Sequence, residues 1–248
     1  MNMSRPAALA ATVLLFSASA LSASATTLEI TGAGIYSTNQ LDVNGANEYA
    51  TALDLTVQGS VKPLWVFCVD LSHSIYVNIG SQLGYSPPLT YATHWVTTNS
   101  DGATSGSGPA ISQTTSGEIA TLANEGSWIA NKASPDFDRL TAIQGAIWEV
   151  EYGLTPSQVT GTPSQNTLIA SYVANAEAHP AAGYASGIYP TGANGVGFGG
   201  TQGFATGVPE PTTWAMMLVG LGLMGATLRD RARALSLATI PAARTTRR

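Results

Sequence analysis

Residues 140–152, LTAIQGAIWEVEY, mark the point where the chain changes its period. Leu140, Ile143, Ile147 and Trp148 recur at three-and-four spacing, the signature of a helix with one apolar stripe. Gln144 stands in the middle of that stripe. A carboxamide facing a core costs about 1–3 kcal/mol unless both its oxygen and its nitrogen find partners. Gly153 suits the C-terminal stop of this helix, and Asp136 and Asp138 suit its start, where acids complement the helix dipole.

Upstream the period is two. TLEITGAGIYS (27–37), EYATALDLTVQGS (48–60) and LWVFCVDLSHSIYV (64–77) alternate or run apolar, with Gly and Asn between them. Residues 99–114 form a polar, small-residue loop. Downstream the pattern is helical. Thr115 and Glu118 fit a capping box that opens a helix to about Lys132, and 166–179 predicts a third helix with Leu168, Ile169, Tyr172, Val173 and Ala176 inward. Residues 186–207, rich in glycine, are expected to lead flexibly out of the domain from about residue 187, with GTQGFATG as a candidate last strand. Strands first and helices second predict an α+β domain, a β-rich sandwich or barrel packed with a small helical part, over residues 26–207.

Charge narrows the function. Only 10% of the 248 residues are charged. Between Thr26 and Gly207 the basic residues are Lys62, Lys132 and Arg139, against thirteen Asp and Glu. Such an acidic body will not hold a phosphate backbone, so nucleic acid is excluded as a partner. Three scattered histidines show no metal-ligand spacing, and no cofactor is expected.

Both ends are export segments. Residues 1–25 have one basic residue (Arg5), an apolar run from Ala7 to Phe16 and Ala-Ser-Ala before Thr26, which predicts a secretory signal peptide cleaved after Ala25 or Ala20 and delivery to the Sec translocon. Pro209, Glu210 and Pro211 precede an uncharged run from Trp214 to Leu228, and Arg229, Arg231 and Arg233 follow. The run is expected to form a single anchor helix that engages the membrane, with the arginines holding the domain outside. Gly220, Gly222 and Gly225 match G-x-G-x-x-G, but a dinucleotide fingerprint needs a strand before it and a helix after it, not an apolar anchor.

This three-part tail, residues 208–233, resembles the PEP-CTERM sorting signal, also catalogued as an ice-binding protein C-terminal domain. Residues 234–248 continue beyond it. The resemblance implies recognition by an exosortase in a Gram-negative bacterium and processing near Pro209–Pro211. It further implies transient residence in the inner membrane, then transfer to the cell envelope or extracellular matrix.

The chain has one cysteine, Cys68, which has no intramolecular disulfide partner. It is either a small buried hydrophobe or a chemically used thiol. Alternation places Trp65, Phe67, Val69 and Leu71 on one face of its strand, and Val66, Cys68 and Asp70 on the other. A cysteine–histidine hydrolase is disfavoured, because His73 lies five positions on and a regular strand turns it to the opposite face.

Cys68 and Gln144 answer each other: a thiol that displaces a carboxamide nitrogen gives an internal thioester. Phe67-Cys68-Val69-Asp70, followed at a distance by Ile143-Gln144-Gly145-Ala146-Ile147-Trp148, resembles the two motifs of bacterial surface thioester domains. The resemblance implies a mixed β and helical domain that captures an amine on a partner surface in a single-turnover acyl transfer, not an enzyme. Phe67 and Trp148 would wall the bond, with His73 the candidate base and Asp70 and Glu149 behind it. The alternative is a passive exopolysaccharide or biofilm matrix protein with the same fold and no live bond.

Overall fold

The computed structural model describes residues 27–73, 75, 77–99, 108–160, 164–191 and 202–207. The signal peptide (1–25), the Pro209–Pro211 motif, the anchor run (214–228) and the tail (234–248) lie outside the described residues. Among the described residues no helix is long and apolar enough to cross a membrane.

The strands are β1 (Thr27–Ile35), β2 (Gln40–Val43), β3 (Ala46–Tyr49), β4 (Leu53–Val57), β5 (Leu64–Cys68), β6 (Asn78–Ile79), β7 (Leu83–Trp95), β8 (Ser157–Thr160), β9 (Ser186–Pro190) and β10 (Phe204–Thr206). The helices are α1 (Gln113–Ala130), α2 (Phe137–Tyr152) and α3 (Gln165–Ala178). The main sheet runs β4-β5-β10-β9-β7-β1-β6, and β1 also pairs with β4. That last pairing, with Ala33 opposite Leu55, closes the sheet on itself, so the β-rich half is a barrel rather than a sandwich. A small second sheet, β3-β2-β8, stands apart.

The helices begin earlier than periodicity indicated. Ser112, not Thr115, caps α1: its hydroxyl accepts from Thr115 N–H at 2.9 Å. The expected Thr115–Glu118 box is thereby displaced by three residues, since Thr115 is already inside the first turn. Asp136 caps α2 by accepting from Arg139 N–H, and Gly153 closes it at φ 66°, in the left-handed region glycine enters without penalty.

The predicted stripe on α2 is broader than a stripe. Every residue from Leu140 to Trp148 is buried, because α1 and α3 flank the helix and Leu41 of β2 packs beside Gly145. A helix buried on all sides is the centre of its layer. α1 lies against β5 and β10 and joins the helical layer to the barrel. At Gly126 the Phe67 ring occupies the space a side chain would need.

The C-terminal end of the domain corrects an expectation. The segment from about 187 is not simply a flexible exit: β9 pairs with β7, and β10 inserts between β9 and β5. Phe204 and Ala205 are fully buried, and Phe204 stacks at a tilt on Tyr91. The alternative last strand in GTQGFATG is therefore central to the sheet.

Candidate functional site

β5 ends at Cys68 for a local reason. Asp70 turns the chain: its Oδ1 accepts from the backbone N–H of Ser72 at 3.1 Å and of His73 at 3.0 Å. The same carboxylate meets His73 Nδ1 at 2.8 Å, and its Oδ2 accepts from Gly203 N–H at 3.2 Å. The regular strand needed to carry His73 to the far side is absent, so His73 comes back to line a cleft with Cys68 and Asp70.

α2 supplies the opposite side. Gln144 is fully buried, and its carboxamide is doubly engaged by one residue: Oε1 accepts from Cys68 N–H at 2.8 Å, and Nε2 donates to Cys68 C=O at 2.8 Å. β4 pairs with β5 only as far as Leu53 opposite Val66. The Gln144 amide continues the ladder at Cys68, where a strand neighbour would otherwise sit. One turn on, Trp148 lines the cleft. Tyr152 then donates its hydroxyl to Val69 C=O at 3.1 Å and accepts from Leu71 N–H at 3.4 Å.

The thiol itself is buried. Its S–H donates to Asp70 C=O at 3.0 Å, while Sγ accepts from Asp70 N–H at 3.3 Å and from Gln202 Nε2 at 2.7 Å. Burial pushes the thiol well up from its ordinary range, and the Asp70 and Glu151 charges push the same way. The Asp70 backbone contact and the Trp148 indole act in the opposite direction. Trp148 is 2% exposed, and its indole N–H makes no hydrogen bond to any other group.

The cleft has a volume of about 210 Å³. Glu48, Tyr49, Thr51 and Ile75 also line it, and Gln202 lines it beside the sulfur. Of the expected residues, Cys68, Asp70, His73 and Trp148 share this cleft, and Gln144 lies behind Cys68. Phe67 points away from the cleft, into α1. Glu149 is not part of the site. It is half-buried, and its carboxyl is raised by burial and by Glu177 of α3. Glu151 is the helix acid whose charge reaches Cys68. The helical spacing of Gln144, Trp148 and Glu151 carried that information, at four and then three residues. Gln202 was not foreseeable from spacing, since it arrives from 134 residues away in sequence.

No curated protein matches the chain. Among solved structures, the N-terminal thioester domain of fibronectin-binding protein SfbI from Streptococcus pyogenes is similar at 10% identity and a TM-score of 0.37, over 71% of this chain and 98% of that one. At the other end of the chain, β10 runs directly into a recognisable signal. Residues 207–232 match the PEP-CTERM protein-sorting motif, so this is a chain that carries a PEP-CTERM sorting signal immediately behind β10.

Proposed function

We propose that this exosortase-sorted, exported protein binds amines covalently through a Cys68–Gln144 thioester. One observation carries the reading. The Gln144 carboxamide, buried on α2, makes both its hydrogen bonds to the main chain of the residue that bears the thiol, 76 positions away. Two such residues have no general reason to meet.

The chemistry runs in two steps. The Cys68 sulfur attacks the Gln144 carboxamide carbon; the C–S bond forms, the C–N bond breaks, and ammonia leaves with the thiol proton. A primary amine then attacks the same carbon. The C–S bond breaks with its electron pair on sulfur, the amine nitrogen loses a proton to a base, and an amide and a regenerated thiol remain. His73 is the base in this scheme, with Asp70 holding Nδ1 and leaving Nε2 to act. The buried surroundings of the sulfur slow competition from water.

Intact mass tests the proposal. The purified domain should weigh one ammonia less than its sequence, and Cys68→Ala and Gln144→Ala should each restore the full mass. Methylamine should add at Gln144 and free one titratable thiol. A full-mass wild-type chain leaves the second reading, a passive matrix protein. The exposed ring of Trp95 favours that reading as a surface for saccharide stacking.

A further inference from the structure

Cys68 receives N–H donors from two directions. Asp70 N–H comes from its own turn, and Gln202 Nε2 comes from the segment that leads into β10. Gln202 also donates to Asp70 C=O at 3.0 Å, the carbonyl that accepts the thiol proton. The segment is pinned on both sides of this contact. Gly203 N–H donates to the Asp70 carboxylate at 3.2 Å, Gly203 C=O accepts from Val69 N–H at 3.1 Å, and Phe204 lies opposite Cys68 in the ladder. Trp148 lines the same cleft at 2% exposure and offers a third donor, an indole N–H that makes no hydrogen bond to any other group.

We infer that Gln202 is a positioning and charge-stabilising residue for the acyl transfer, delivered to the sulfur by the strand that precedes the sorting signal. This rests on the thioester proposed above. When an amine displaces Cys68, negative charge develops on a sulfur that has little access to water, so its cost must be met by fixed donors. Gln202 supplies one such donor in a set position, with Asp70 N–H beside it. Gln202 lies in the segment that leads into β10, so the site is assembled from three separated segments. It is complete only when 202–207 has docked between β5 and β9. Because β10 ends at Thr206, processing near Pro209–Pro211 leaves Gln202 in place.

The test uses the full chain, exported and purified, with Gln202→Leu and Gln202→Glu. Thermal melts run alongside confirm that the variants are folded. A hydrogen bond to a charged group is worth about 1.5–3 kcal/mol, so Gln202→Leu should slow methylamine addition by roughly 10- to 150-fold while the ammonia deficit still forms. Gln202→Glu keeps the shape but sets a carboxylate against the departing thiolate. It should be slower than Gln202→Leu at neutral pH, and its rate relative to wild type should recover as pH falls and the carboxyl becomes a donor. A merely structural role predicts the reverse order, with the near-isosteric Glu milder than Leu. Wild-type rates in Gln202→Leu, on a chain with the ammonia deficit, would overturn this inference and leave the thioester standing. If the wild-type chain has no deficit, the thioester reading falls, and the role in acyl transfer falls with it. The Gln202–sulfur contact is then read separately, from iodoacetamide alkylation of the free thiol. Its pH profile should shift upward in Gln202→Leu, and an unchanged profile would remove the contact too.

Discussion

Gln144 holds Cys68 by its backbone, not by its side chain: both atoms of the carboxamide sit at 2.8 Å from the Cys68 N–H and C=O. Stability and chemistry can therefore be separated by mutation. Cys68→Ala removes the sulfur but keeps both main-chain hydrogen bonds. Gln144→Ala strands a buried N–H and a buried C=O, each at about 1–3 kcal/mol. Both variants abolish any thioester, so that contribution cancels between them. Gln144→Ala should be the less stable of the two by at least about 1 kcal/mol in chemical denaturation. Equal stabilities would mean that water or a shift of β4 repairs the edge.

Gly126 and Phe67 make the second test. The phenyl ring fills the place of a side chain on α1, so Gly126→Ala forces the ring or the helix to move. Overpacking of this kind costs about 1–3 kcal/mol, more than the gain in helix propensity that alanine brings. The variant should melt lower than wild type, and Phe67→Leu in the same chain should recover part of the loss. Since Phe67 precedes Cys68, the shift should also be felt at the cleft, as a slower methylamine reaction.

What the sequence disclosed follows from how locally each feature is determined. The three helices were legible because their periods, and for α2 its caps Asp136 and Gly153, are written within a few residues. Strand β5 was legible through its apolar run. The closure of the barrel was not, since the pairing of β1 with β4 is settled by register and not by composition. β10 was hardest: three residues flanked by glycines give no alternation to read, and their burial comes entirely from β5 and β9. His73 was expected on the face opposite Cys68 because the strand was extended past Cys68, whereas the Asp70 side chain ends it and returns the candidate base to the cleft. Glu149 was chosen for nearness in sequence, although Glu151 shares the helix face of Gln144 and Trp148.

His73 carries its own kinetic test. Asp70 grips Nδ1 at 2.8 Å, so the ring is oriented whether or not it acts as a base. His73→Gln keeps a side chain at the position but removes the proton acceptor. General-base assistance is worth about 10²–10⁴-fold, so methylamine addition should fall by at least about 100-fold with the ammonia deficit retained. An unchanged rate would assign the proton transfer to another group.

A pH effect on stability comes from the helical seam. Glu118 of α1 and Glu149 of α2 are both raised, first by burial and then by Glu177 of α3. A carboxyl with a raised folded value contributes its full stability while protonated and loses it as pH rises through that value. Glu177→Gln removes the second cause only. It should stabilise the domain at pH 7 by a few tenths of a kcal/mol, as expected for surface charges. The gain should shrink in acid, as the raised partners take up protons. Melting curves at the two pH values decide it, and a gain that persists in acid would point to packing in place of charge.

Sorting makes the last prediction, and it bears on whether the site survives export. The PEP-CTERM motif begins at residue 207, one residue after β10 ends. Removal of the tail near Pro209–Pro211 therefore spares every described strand and Gln202. Removal a few residues earlier would take Phe204 from the core and open the sheet between β5 and β9. The protein recovered from an exosortase-bearing host should begin at Thr26 or Leu21, lack Arg229–Arg233 and remain folded. A chain ended artificially at residue 201 should lose cooperative unfolding and expose Cys68 to alkylation. Intact mass and terminal sequencing of the surface-recovered form read the first outcome, and alkylation of the truncated form reads the second. Retention of Arg229–Arg248 on the surface form would sink the processing step, and a stably folded chain ending at 201 would sink the role given to β10.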